Sequence, residues 1–377
     1  MRILLVVDLF DDANNGTTMT ARRMARALTA RGNEVRVVST GHPAQGKYVV
    51  PELYLPPLVR TIIHSQGMRI ARPDRKVLAE AIAWADVVHF LMPFFLARGG
   101  EKMARRLGVP ATAAFHVQPE NITFNIGLRR ADFLNGVVYR AFRRLFYRRF
   151  GHIHCPSRFI AGQLERHDYR AKLHVISNGV DPAFHYAKLP KDAPLAGRFV
   201  IVMIGRLSRE KRQDVLIEAV RRSRHSSEIQ LVLAGQGPLL KRCRKMGESL
   251  RNRPIIAFYS QPDLIRLLSM ADLYVHASDV EIEAISCIEA LASGLVPVIA
   301  DSPRSAAPQF ALDGRSLFRA GDAGELAARI DYWIEHEEER RAAERRYAGL
   351  ASDYDLAACA ARMEGMFAEA IADGEPK

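Results

Sequence analysis

The chain has 377 residues, 48% of them apolar and 25% charged, and a formal net charge of +12. That composition excludes a disordered or low-complexity polymer, and the length exceeds what one hydrophobic core normally serves, so two domains are expected. The longest apolar candidate, 79–96, is broken by Glu80, Asp86, His89 and Pro93, which excludes a membrane-spanning helix there.

Met1 to Val7 is too short for a secretory leader and runs straight into Asp8. Cys155, Cys243, Cys287 and Cys359 are far apart, with no metal-ligand spacing, so free thiols in a reducing compartment and no metal are expected. The charge is lopsided. Residues 1–177 hold 27 Lys and Arg against 13 Asp and Glu, whereas the 27 basic and 29 acidic residues of the remainder nearly cancel. A field of that kind attracts nucleic acid or an anionic membrane surface.

In chain order, RILLVV (2–7) predicts a buried first strand, 18–31 a helix with Met19, Met24, Ala25 and Leu28 apolar, and 34–39 a second strand. This β-α-β unit opens a parallel sheet. In the DDANNGTT stretch between them (11–18), Gly16 would let the backbone approach a ligand closely, the other reading being an ordinary turn. Further strands are expected at 85–90 and 111–116. The second ends at His116, and open α/β sheets bind ligands beyond the carboxyl ends of their strands.

Two basic segments stand out. RTIIHSQGMRIARPDRK (60–76) carries Arg60, Arg69, Arg72, Arg75 and Lys76. GVVYRAFRRLFYRRF (136–150) predicts an amphipathic helix with Tyr139, Phe142, Phe146 and Phe150 on one face, part of it core, and Arg140, Arg144 and Arg148 at four-residue spacing on another. Together they are a candidate surface for anionic lipid. A nucleic-acid-binding module is the distant alternative, disfavoured because the basic residues are not interleaved with stacking aromatics on a sheet.

ISNGVD (176–181) and the Pro/Lys/Gly-rich 185–197 mark a connector, with the boundary near Ser177. A second α/β domain then opens with FVIVMIGRLSREKRQDVLIEAV (199–220). Gly205 ends a buried strand, Arg206 follows it, and Lys211 precedes a helix. The planar fork of Arg and the point charge of Lys both suit a diphosphate. Strands at 229–235, 254–258 and 273–276 complete the sheet, the first closing on Gly235 of a G-x-G. Charge-alternating helices follow from 324, and the last helix spans 356–372.

The richest stretch is SDVEIEAISCIEALASGLVPVIA (278–300): a loop ending in acids, a helix closed by Gly294, and a buried strand. Glu281 lies before the helix and Glu289 two turns inside it, so both could face one ligand at the helix N-terminus. That end attracts phosphate, while acceptor-only carboxylates suit sugar hydroxyls. A phosphate-bearing sugar fits this geometry. Asp279-Val280-Glu281 as an acidic metal triplet is the weaker reading, and no Walker A, nucleophile-elbow or zinc-cluster pattern occurs.

Glu281-x7-Glu289 followed by EALASGLVPVIA resembles the signature of retaining GT-B glycosyltransferases, family 4 (group 1), and the 199–220 and 176–181 segments resemble that family's motifs. The resemblance implies an α/β GT-B fold, two Rossmann-like domains facing each other across a cleft: 1–177 an acceptor domain, 178–354 a donor domain, and 355–377 a last helix packing back on the first. It further implies that His116 and Glu281 hold the donor sugar, Arg206 and Lys211 the diphosphate, and Glu289 the ribose. Gly16, Gly205, Gly235 and Ser286 would complete the donor site, with no metal and no cofactor beyond the nucleotide sugar.

VEIEAISCIEALASG is most similar to bacterial diacylglycerol glucosyltransferases. This implies a UDP-hexose donor, glucose foremost, a lipid acceptor, and a cytoplasmic enzyme peripheral on the inner membrane face. A soluble sugar or polysaccharide precursor is the alternative acceptor. The family commonly reads E-G-F-G-L-P-x-L-E where this chain has Glu281-Ile-Glu-Ala-Ile-Ser-Cys-Ile-Glu289. The missing glycines bear on how backbone amides approach the diphosphate.

Overall fold

The structure is a computed structural model and describes residues 1–11, 16–57, 60, 64, 69–125 and 132–374. The chain forms two compact units. The N-terminal one comprises Met1–Pro119, Ala131–Gly179 and Leu356–Lys377; the C-terminal one comprises Glu120–Arg130 and Val180–Asp355.

The N-terminal sheet contains β1 (Arg2–Val6), β2 (Glu34–Ser39), β3 (Lys47–Val49), β4 (Val87–Phe90), β5 (Ala111–Ala114), β6 (His152–Cys155) and β7 (Lys172–Val175). All are parallel, in the order β3-β2-β1-β4-β5-β6-β7. Apolar runs such as RILLV are buried on both faces because helices cover both sides of a parallel sheet. One covering layer is helix 16–30 with the final helix Leu356–Asp373, whose Met363, Met366 and Phe367 share a core with Ile3, Leu5, Met24 and Leu28.

The C-terminal sheet contains β8 (Phe199–Ile204), β9 (Ile229–Ala234), β10 (Ile255–Ala257), β11 (Leu273–His276), β12 (Pro297–Asp301) and β13 (Leu317–Arg319). They are again parallel, in the order β10-β9-β8-β11-β12-β13. Both sheets reverse direction of growth at one place, β1/β4 and β8/β11. In a doubly wound sheet the crevice beyond the carboxyl ends at that switch point is where ligands bind.

Two sequence expectations are corrected. The strand expected to end at His116 stops at Ala114, leaving His116 in the following segment. The helix expected over 136–150 runs Asp132–Leu145 and breaks at Phe146 (φ −136°, ψ −66°) before a short 3-10 turn, Tyr147–Arg149. The core demands the break. Tyr147 turns inward to donate its hydroxyl to Ala114 O (2.9 Å), and Phe146 packs between Phe90 and Phe150. Arg148 therefore leaves the face shared by Arg140 and Arg144, although all three remain exposed.

Candidate functional site

At the C-terminal switch point, β8 delivers Gly205, Arg206 and the 3-10 turn Arg209–Lys211, while β11 delivers His276 and the loop to Glu281. Lys211 Nζ is ion-paired with Glu281 Oε1, and His276 Nε2 approaches the same oxygen at 3.1 Å. Burial pushes the Glu281 carboxyl up, but Lys211 and His276 outweigh it and hold the group well below the usual carboxylate range. It is a carboxylate at any ordinary pH.

Behind this pair runs a buried chain of polar groups. Tyr274 Oη lies 2.9 Å from His276 Nδ1 and 3.1 Å from Ser286 Oγ. Burial drives the Tyr274 phenol well above its ordinary value, so it keeps its proton. Tyr274 bridges Ser286 Oγ and His276 Nδ1, and Nε2 on the far side of the His276 ring lies 3.1 Å from Glu281 Oε1. His276 and Tyr274 thus set the orientation of Glu281 and tie it to the 285–292 helix that carries Ser286 and the buried Glu289.

The two loops are braced against each other. Arg212, left-handed at φ 57°, spans Asp214 (3.1 Å) and Asp279 (2.9 Å), while Asp279 N donates to Glu210 O at 2.8 Å. Ser302 Oγ donates to Asp279 O (2.6 Å), and Ala306 N to Glu281 O (2.9 Å). Gly205 sits at φ +146° beside the Lys211 side chain, and a Cβ on Gly235 would collide with the Gly205 carbonyl. Gly235 therefore lets the ends of β8 and β9 close on each other. Arg206 is half-buried at the strand end, its carbonyl accepting Gln213 Nε2 at 2.9 Å.

In the N-terminal unit, His116 packs edge-on against His154, ring centroids 5.4 Å apart. Burial and the neighbouring His154 lower His116 to about 3, and burial lowers His154 to about 4 despite its contact with Ile176 O (2.7 Å), so both rings are neutral. His89, hydrogen-bonded to Thr112 Oγ1 at 2.8 Å, is lowered well below the ordinary range by the same burial. Asp8, just past β1, is 4% exposed and accepts Ala71 N at 2.9 Å; burial lifts its carboxyl to about 7.

Gly16 is the first residue of helix 16–30, with open space where a side chain would stand; residues 12–15 before it lie outside the described residues. Arg60, Arg69, Arg72, Arg75 and Lys76 are all exposed, Arg69 pairing with Glu52 at 3.4 Å, and 61–63 and 65–68 between them lie outside the described residues. On helix 132–145, Arg140 and Arg144 share an exposed surface with Phe133 (83% exposed), Leu134, Val137 and Leu145. Among the described residues no helix is long and apolar enough to cross a membrane.

Residues 14–184 match the family described as Glycosyltransferase Family 4, and residues 187–348 match Glycosyl transferases group 1. The chain belongs to the GT-B glycosyltransferases of group 1. Among relatives of this group 1 glycosyltransferase is the alpha-monoglucosyldiacylglycerol synthase of Streptococcus pneumoniae, 24% identical over 80% of this chain and 71% of that protein. The GDP-mannose-dependent alpha-mannosyltransferase of Corynebacterium glutamicum is 27% identical over 82% and 73%. Of solved structures, sucrose-phosphate synthase from Thermosynechococcus elongatus superposes with a TM-score of 0.77 at 16% identity, over 99% of this chain and 100% of that one. Anabaena HepE with UDP-glucose gives 0.74 at 18%, over 99% and 100%.

Within this glycosyltransferase, Lys211 and Glu281 are brought together, Ser286 joins them through Tyr274, and Gly205 and Gly235 pack beside them. Sequence reasoning missed His276, Tyr274 and Asp8. For His276 and Asp8 the one legible signal was a polar residue at or just past the carboxyl end of a switch-point strand; Tyr274, inside β11, carried none.

Proposed function

We propose that this glycosyltransferase is a retaining, metal-independent hexosyltransferase that moves glucose from UDP-glucose to a membrane lipid such as diacylglycerol. The observation that carries the reading is the Lys211–Glu281–His276 cluster at the switch point. Lys211 has three N–H donors and gives one to Glu281, so its others serve the donor diphosphate together with Arg206. That fixed positive charge stabilises the departing diphosphate, which requires no divalent ion. Glu281, held ionised, accepts from donor-sugar hydroxyls, and Glu289 from ribose hydroxyls. His116 is the N-terminal unit's contribution to sugar binding, and its neutral ring can accept or donate a hydrogen bond. The acceptor hydroxyl attacks from the face the diphosphate leaves, and the diphosphate takes its proton.

The lipid acceptor is supported by the exposed Phe133, Leu134, Val137, Arg140, Arg144 and Leu145, apolar side chains beside guanidinium groups, which suit an anionic membrane surface. The enzyme would then work as a peripheral protein on the cytoplasmic face, 1–177 serving the acceptor and 178–354 the donor. The test is incubation of the purified full chain with UDP-glucose and diacylglycerol vesicles containing anionic phospholipid, reading the product's anomeric configuration by NMR. An α-glucolipid is expected; an inverted product, or no transfer to lipid, overturns the reading. A second donor, GDP-mannose, is favoured by the names of three relatives at 24–27% identity, and GDP-mannose in a parallel incubation decides between the two. Transfer to a soluble sugar but not to vesicles would establish the alternative acceptor.

A further inference from the structure

One edge of the N-terminal sheet gathers two imidazoles and two carboxylates that the proposed chemistry leaves unused. β6 and β7 pair in parallel with His152 opposite Lys172 and His154 opposite His174. His152 and His174 are therefore diagonal neighbours on one face, with Nδ1 of the first 2.9 Å from Nε2 of the second. The final helix adds Glu369 and Asp373, one turn apart. Glu369 Oε2 lies 3.8 Å from His174 Nε2, and Asp373 Oδ2 lies 3.1 Å from His152 Nε2.

We propose that His152 Nδ1, His174 Nε2 and the Glu369 carboxylate bind a divalent transition-metal ion of the zinc type, with Asp373 holding His152 in orientation. The three ligand atoms lie within 4.8 Å of one another. Ligands about 2.0–2.1 Å from a tetrahedral zinc stand about 3.3 Å apart, and the observed 2.9 and 3.8 Å fall either side of that spacing. Asp373 at Nε2 makes that nitrogen the proton donor, so the lone pair of His152 is on Nδ1, aimed at His174. A carboxylate behind a ligating histidine is the usual device for fixing the tautomer.

Without a metal, Nδ1 of His152 accepts the proton of His174 Nε2. The ion takes the place of that proton, which moves to Nδ1 of His174. The ammonium of Lys172 now pairs with Glu369, and at 57% exposure it is free to swing away. Two imidazoles and one carboxylate suit zinc, cobalt or nickel, whereas magnesium and calcium prefer all-oxygen sites. None of these residues belongs to the Lys211–Glu281 cluster, so the ion's effect is to fasten the last helix to β6 and β7.

The experiment is calorimetric titration of the untagged, chelator-treated full chain with zinc chloride, alongside thermal unfolding with and without the ion. One zinc per chain, with a dissociation constant of order micromolar or tighter, and a raised Tm are expected. Glu369→Gln keeps the size of a half-exposed side chain and should weaken binding at least tenfold without unfolding the protein; His174→Ala should abolish it. His225→Ala, beside Glu228 and Glu335 on the C-terminal unit, should change nothing. No stoichiometric binding to the wild type, or equal binding by wild type and Glu369→Gln, overturns the proposal. So does loss of binding in His225→Ala with Glu369→Gln unaffected.

Discussion

In the C-terminal unit, the groups that meet at the switch point come from two short stretches, 205–212 and 274–286, and nearly all are charged or hydrogen-bonded in pairs. The corresponding region of the N-terminal unit holds Asp8, His89, His116 and His154, drawn from four strand ends and kept neutral or nearly so by burial. Apart from the additional edge strand β7 the strand order is the same, and the electrostatics are opposite. One unit presents fixed charge, as a diphosphate requires, while the other hides uncharged polar groups under its sheet. Each can be disturbed separately.

The largest effect should be on stability against pH, and it belongs to the N-terminal unit. Three of its histidines, His89, His116 and His154 around the switch point, have pKa values lowered by folding. Their contribution is complete above the unfolded value near 6.5 and is lost as pH falls toward the folded values, because the unfolded chain takes up protons that the folded one cannot. Asp8 has a raised value, so its contribution is complete below the unfolded value near 4 and is lost as pH rises through about 7. Between pH 4 and 6.5 the histidines outnumber Asp8 three to one. Stability should rise with pH by up to about 3 kcal/mol per unit, from the net two protons at 1.36 kcal/mol each. Chemical denaturation across pH 4.5–8 tests this. Asp8→Asn should be more stable than wild type at pH 8 and not at pH 4.5; a gain of equal size at both would show that Asp8 is not buried as described.

Next comes the charged cluster. Lys211→Ala removes a cation aimed at developing negative charge and should lower kcat by about 10²–10³, the cost of losing one such donor. A variant with wild-type turnover would break the contrast between the units, since fixed charge in the C-terminal unit would then not be catalytic.

A smaller effect is expected at the exposed helix face. Each basic side chain near an anionic surface contributes about 1 kcal/mol, so Arg140→Gln with Arg144→Gln should weaken vesicle binding about 30-fold at low salt and less at high salt. Arg69, already paired with Glu52, should matter less than either. Flotation with anionic vesicles reads both. If the Arg69 variant alone releases the protein, the 60–76 segment is the membrane face instead.

These differences track what the sequence could display. The inner strands of both sheets were legible because parallel strands are continuous β-branched and aliphatic runs, whereas the short edge strands β3, β7 and β13 were not foreseen; Glu281, Lys211 and Gly205 were legible because their spacing lies within contiguous motifs. Arg148 was misplaced because a four-residue period assumes an unbroken helix, and the inward turn of Tyr147 broke it. His276 and Tyr274 looked like ordinary residues of a buried strand. His152, His174 and Glu369 had no legible signal, since only strand pairing and the docking of the last helix bring them together.

The smallest predicted effect concerns the interior of the signature, where the chain departs from its family. Ala284 caps the 285–292 helix in the left-handed region (φ 67°, ψ 55°), at the place of the second glycine in E-G-F-G-L-P-x-L-E. Alanine stands where the family has glycine, in a backbone conformation that glycine adopts freely and alanine does not. For an L-residue this region costs about 1–2 kcal/mol, and only the surrounding bonds maintain it. Cys287 N and Ile288 N both donate to Ala284 O, at 2.8 and 3.3 Å, fixing the first turn on which Ser286 sits. Ala284→Gly should therefore relieve strain. The gain is partly offset by the unfolded-state freedom of glycine and by the loss of a buried methyl, so the net change should stay within about 1 kcal/mol and lean toward stabilisation. Ala284→Val adds a β-branched side chain at a left-handed, 4% exposed position and should cost clearly more. Thermal unfolding of the two variants decides the matter: were Gly as harmful as Val, packing of the methyl rather than backbone conformation would be what this position supplies.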